Sequence, residues 1–92
     1  MVSGTIERLE QDSEIMQGIQ TAPADPRYGP LNILTFDVKP LGKQVAYINS
    51  AEGTKNYPGI VEKNLLIGKM IYFNYDPAMT PGIWQNTLEY LR

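Results

Sequence analysis

The chain has 92 residues, a formal net charge of −2, and 42% hydrophobic against 20% charged side chains. That composition suits one domain with a small core, spanning residues 1–92, and excludes a disordered polyelectrolyte. Cysteine and histidine are both absent, which removes disulfides, thiolate metal sites, thiol nucleophiles and the commonest general base together.

Residues 2–9, "VSGTIERL", alternate as a strand with Val2, Gly4 and Ile6 on one face and Ser3, Thr5 and Glu7 on the other. Glu7, Glu10, Asp12 and Glu14 then place four acids close together. Four carboxylates suit a hard cation, but their spacing matches no calcium loop, and a solvated strand end is the reading carried forward. From Gln11 to Pro30, three prolines and two glycines break any long helix and predict an extended loop or irregular hairpin arm.

Leu31–Lys39 reads as a strand with Leu34, Phe36 and Val38 on one face and Ile33, Thr35 and Asp37 on the other. "PLGK" supplies a turn, and Gln44–Ser50 alternates again, so Leu31–Ser50 is expected to form a hairpin. After a loop through "AEGTKNYPG", Ile60–Leu66 is expected to form a short helix stopped by Gly68. Lys69–Tyr75 and Ile83–Leu91 complete the set as the fourth and fifth strands, joined by the turn-rich "DPAMTPG". The expected fold is all-β: a small five-stranded barrel with one short helix.

The opening "VSGTI", the "LIGKMIYF" strand and the closing "NTLEYL", in this order of elements, resemble the OB-fold as found in bacterial single-strand DNA-binding proteins and their primosomal relatives. The resemblance implies an OB-like barrel that binds single-stranded DNA or RNA across its second and third strands and the flanking loops, without catalysis and without a cofactor. A glycine-rich linker and an acidic C-terminal tail are not seen, so recruitment of repair proteins through a tail is not implied.

Charge and aromatic placement nominate the contacts. Residues 1–14 carry one base against four acids, net −3, whereas 27–69 carry six bases against three acids, net +3. The cations that would frame a groove are Arg27, Lys39, Lys43, Lys55 and Lys69, with Lys63 in the same basic segment. For base stacking, Tyr47 and Tyr72 point away from the apolar set of their strands, and Tyr28 and Tyr57 lie beside Arg27 and Lys55. The same tyrosines also suit the rim of a small core. Phe36, Phe73 and Trp84, as large apolar groups, are assigned to the core.

The acidic balance counts against tracking a phosphate backbone. The competing reading is a protein-interaction module, of the kind a phage or plasmid inhibitor or an assembly subunit would be, docking a polypeptide or a second copy of itself through an exposed strand edge. An enzyme working through carboxylates or tyrosines is the third reading. No apolar run approaches a membrane span and the N-terminus has no basic-then-apolar signal, so a cytoplasmic protein with no membrane partner is expected.

Overall fold

A computed structural model describes residues 1–23, 29–51 and 55–92. Six strands, β1 (Val2–Arg8), β2 (Thr21–Ala22), β3 (Leu31–Ile33), β4 (Lys43–Ser50), β5 (Asn56–Leu65) and β6 (Gly68–Phe73), are followed by a 3₁₀ turn at Pro77–Met79 and a helix, α1 (Pro81–Leu91). The strands form one antiparallel sheet in the order β2-β1-β4-β5-β6, with β3 sharing one edge of β1 with β2. The expectation of an all-β chain with one helix holds. The expected five-stranded barrel does not: among the described residues the sheet has six strands and is open.

β1 keeps the expected faces, with Gly4 and Ile6 buried. Gly4 is required by close approach, since a Cβ there would lie 2.3 Å from the carbonyl oxygen of Asn49 on β4. Leu9–Gln20 is irregular, as expected, and it packs into the core. Leu9 and Glu10 both donate their N–H to Val45 O, successive turns close at Ser13, Gln17 and Ile19, and Ile15 and Met16 enter the core fully buried.

Leu31–Lys39 and β4 do not form the expected hairpin. β3 and β4 lie on opposite edges of β1, and the strand stops at Ile33. The faces beyond it are also reversed, because Ile33 and Thr35 are buried while Leu34 is exposed and Phe36 is 64% exposed. Thr35 is held inside by donating its hydroxyl to Asn74 O at 2.6 Å, a partner 39 residues away.

Ile60–Leu66 is a strand, not a helix. The β-branched pair Ile60 and Val61 is buried between β4 and β6, and pairing with β6 runs unbroken from Ile60↔Phe73 to Leu65↔Gly68. Pro58 is tolerated in β5 because it lies beyond the end of the β6 ladder and opposite an irregularity in β4.

Ile83–Leu91, expected to be the last strand, belongs to α1. Pro81 takes the first turn, where its missing N–H costs nothing, and Ile83, Thr87 and Tyr90 recur at helical spacing, the first two buried. Asn86 ties the helix to the irregular segment by donating to Ile15 O and Gln17 O at 3.1 and 3.0 Å. The core is one cluster, built from Ile6, Ile15, Met16, Ile33, Val45, Ala46, Ile48, Ile60, Tyr75 and Ile83. Phe73 packs against it as expected, whereas Trp84 stacks edge-on to Phe73 at 5.8 Å and stays 40% exposed. Among the described residues no helix is long and apolar enough to cross a membrane.

Candidate functional site

The last two strands and the segment that crosses their outer face carry the most unusual surface of the molecule. A β5–β6 hairpin with a two-residue connection calls for Asn-Gly or similar turn residues. Here the two positions are Leu66 and Ile67, and both side chains are essentially fully exposed, Ile67 at 99%. No left-handed backbone is used, since positive φ among the described residues is confined to Gly18 and Gly29. Aliphatic side chains at this tip contribute neither turn geometry nor core packing.

Behind the tip, Val61, Lys63, Met70 and Tyr72 share the outer face of the hairpin, because Val61 pairs with Tyr72 and Lys63 with Met70. Val38–Leu41 runs along this face and encloses with it a largely apolar groove of about 310 Å³. The strap is fastened at both ends. Asn74, buried, donates from Nδ2 to Phe36 O at 2.8 Å and to Pro58 O at 2.9 Å. At the other end Gly42 lies so close to β5 that a Cβ would come within 2.5 Å of Glu62 O.

The structure distributes the nominated residues over three places. Lys39 and Tyr72 meet in the groove, where Lys63 joins them. Neither lysine is in an ion pair among the described residues. Lys43 and Lys69 lie instead in a second cleft with Glu10, Asp12, Glu14 and Glu62. There Lys43 pairs with Glu10 at 3.4 Å, and Lys69 donates to the Tyr90 hydroxyl at 2.8 Å with its ammonium 4.0 Å from the ring centre. The Tyr90 hydroxyl in turn donates to Glu62. The hydrogen bond to Tyr90, followed by the charges of Tyr90, Glu62 and Glu14, raises the Lys69 ammonium above its ordinary range. A phosphate entering this cleft would meet four carboxylates.

Lys55 bonds to Asp37, which raises its ammonium through the hydrogen bond and the charge, and sits 5.3 Å over the ring of Tyr57. Tyr57 packs against the core, and Tyr47 is half-buried on β4 between Glu7 and Pro58. Arg27 and Tyr28 lie outside the described residues. Among the described residues no three His, Cys, Asp or Glu side chains are grouped to hold a metal ion.

Sequence reasoning missed Leu66 and Ile67 as surface groups. The signal was present in "NLLIGK", where three consecutive aliphatics stand in front of a glycine at the place a turn requires polar residues. No protein-family model matches the chain, and no curated protein or solved structure does either.

Proposed function

We infer that the chain is a non-catalytic interaction module that docks a polypeptide through the outer face and free edge of the β5–β6 hairpin. One observation carries this reading. Exposed large apolar side chains concentrate on that hairpin and its strap: Leu41, Met70 and Tyr72 line a groove whose polar features are Lys39 and Lys63, and Leu66 and Ile67 stand at the hairpin tip. An apolar patch rimmed by a few charges is how a protein-docking surface differs from ordinary protein surface.

A second reading, binding of single-stranded nucleic acid, is supported by the meeting of Tyr72 with Lys39 and Lys63, one stacking surface between two cations. It is weakened by the engagement of Lys43, Lys55 and Lys69 with internal partners.

One pair of titrations separates the two. Peptides selected from a displayed library against the chain are expected to quench or shift Trp84 fluorescence with shallow salt dependence, and Met70→Glu/Tyr72→Glu is expected to abolish that response. Saturable quenching by single-stranded oligonucleotides, steep in salt and lost in Tyr72→Ala, together with failure to select any peptide, would replace the first reading by the second.

A further inference from the structure

We propose that the partner received by the β6 edge is a second copy of this chain, joined by antiparallel β6–β6 pairing about a two-fold axis through Ile71. The inference rests on the interaction reading above and names its partner.

The free edge is defined by the ladder inside the hairpin. Asn74 donates its N–H to Gly59 O at 2.9 Å, so Asn74 and Gly59 are a hydrogen-bonded pair. Counting back by two, Tyr72, Met70 and Gly68 also direct their backbone groups at β5. Lys69, Ile71 and Phe73 therefore direct theirs outward, and among the described residues no strand pairs with them.

Edge strands are commonly blunted by proline, bulges, short length or inward charges. The opposite edge of this sheet follows that rule, for β2 has two residues and β3 three, and Pro23 and Pro30 flank them. β6 has six residues, an unbroken register, no proline and a single charge near one end.

The β6 sequence is complementary to itself in one register. Pairing Ile71 with Ile71 of a second copy sets Lys69 opposite the other Phe73 in both directions, so the edge-directed backbone groups of all three residues of each strand are used. The non-hydrogen-bonded positions then bring Met70 against Tyr72 of the other copy, twice. These are the closely spaced pairs of an antiparallel ladder, and sulfur against an aromatic ring is a favourable contact. The two Lys69 charges fall at opposite ends, about 13 Å apart along the strand and beyond the screening length of about 8 Å at physiological ionic strength.

Continued to the tip, the same register carries Gly68, Ile67 and Leu66 alongside Asn74, Tyr75 and Asp76 of the other copy. There the exposed Phe36 is fastened through its carbonyl to Asn74 Nδ2. One two-fold thus covers the tip, Met70, Tyr72 and Phe36 together. A stable interface covers roughly 800 Å² on each partner, more than a short strand edge supplies alone, so the proposal needs these flanking side chains as well as the edge.

The chain has no cysteine, so single cysteines report the register cleanly. Ile71→Cys places two thiols across the two-fold at a Cα separation of about 5.5 Å, within the range a disulfide spans. Tyr72→Cys faces Met70 of the other copy and not its own counterpart.

Under mild oxidation the expected result is a covalent dimer from Ile71→Cys in at least tenfold higher yield than from Tyr72→Cys. Sedimentation equilibrium of the parent is expected to give twice the 10.4 kDa chain mass at high concentration. Met70→Lys/Tyr72→Lys, both at exposed positions, is expected to dissociate at least tenfold more readily, and Met70→Glu/Tyr72→Lys to regain the dimer through opposed charges.

A parent that stays monomeric, equal cross-linking of the two cysteine variants, or an undisturbed dimer in the double-lysine variant overturns the proposal. If that happens while selected peptides still bind, only the second copy is excluded. If peptides fail as well, the interaction reading falls with it.

Discussion

Phe36 and Thr35 are neighbours with reversed fates. Phe36 is 64% exposed and Thr35 is buried, although local hydrophobicity assigns them the other way round. Both faces of Leu31–Lys39 carry apolar residues, so the period of two is visible but its inward phase is not. What decides the phase is Asn74, which accepts from the Thr35 hydroxyl and holds Phe36 O, a contact no local window contains. Phe36→Ala is therefore expected to change unfolding free energy by less than about 1 kcal/mol, whereas Ile48→Ala, fully buried on β4, should cost about 2–5 kcal/mol in denaturant melts. Tyr75 gives a second test at this scale. Burial raises its phenol from 10.0 to about 12, with the hydrogen bond to Thr80 at 2.7 Å pulling the other way. The folded state keeps the proton that the unfolded chain releases near 10, so this contribution is whole below that pH and is lost as pH rises through about 12. Urea midpoints should fall over that window. Tyr75→Phe should flatten this part of the profile while costing about 1 kcal/mol near neutrality for the lost bond.

Among the elements, β1, β4 and β6 were legible because each alternates and ends at recognisable turn residues. β5 and α1 exchanged identities for a physical reason. Ile60–Leu66 holds apolar residues at both helical and strand spacings, and the pairing that settles it comes from β6, three to thirteen residues away from Leu65↔Gly68 to Ile60↔Phe73. In Pro81–Leu91 the threonine and aromatics suggest a strand, yet Ile83, Thr87 and Tyr90 meet the core only at helical spacing, and Thr87 bonds its hydroxyl back to Ile83 O at 2.8 Å. The groove was half legible for a related reason. Lys39 and Tyr72 were visible as a cation and an aromatic, but the strap that brings them together depends on Asn74. Asn74→Leu keeps similar bulk and removes both amide donors, leaving the carbonyls of Phe36 and Pro58 without them. The expected cost is about 1–3 kcal/mol, with faster amide hydrogen exchange confined to residues 35–42 and to β6. Uniformly faster exchange throughout the sheet would show that Asn74 serves the whole core and not the strap.

At the scale of the molecule the core has no division along which it could come apart. β1, β3, β4, β5, the irregular segment through Ile15 and Met16, and α1 each contribute to one cluster, and Asn86 bolts the helix to the segment it covers. Undocking α1 would expose Ile15, Met16 and Ile83 at once, at about 1.5–3 kcal/mol for each apolar side chain, a sum comparable with the whole stability of a small domain. The helix therefore cannot leave while the sheet stays folded. Unfolding followed by Trp84 fluorescence, which reports α1, and by far-ultraviolet circular dichroism, which reports the sheet as well, should give coincident midpoints and a single transition. Two separated midpoints would show that α1 is a detachable element. Pairing of two copies adds a feature that an isolated monomer cannot produce, because mass action ties dimer stability to concentration. The coincident midpoint should rise as the chain is made more concentrated, and Met70→Lys/Tyr72→Lys should lose that rise while keeping the dilute-limit midpoint of the parent. Loss of both would place Met70 and Tyr72 in the fold itself and not at the edge where a second copy joins.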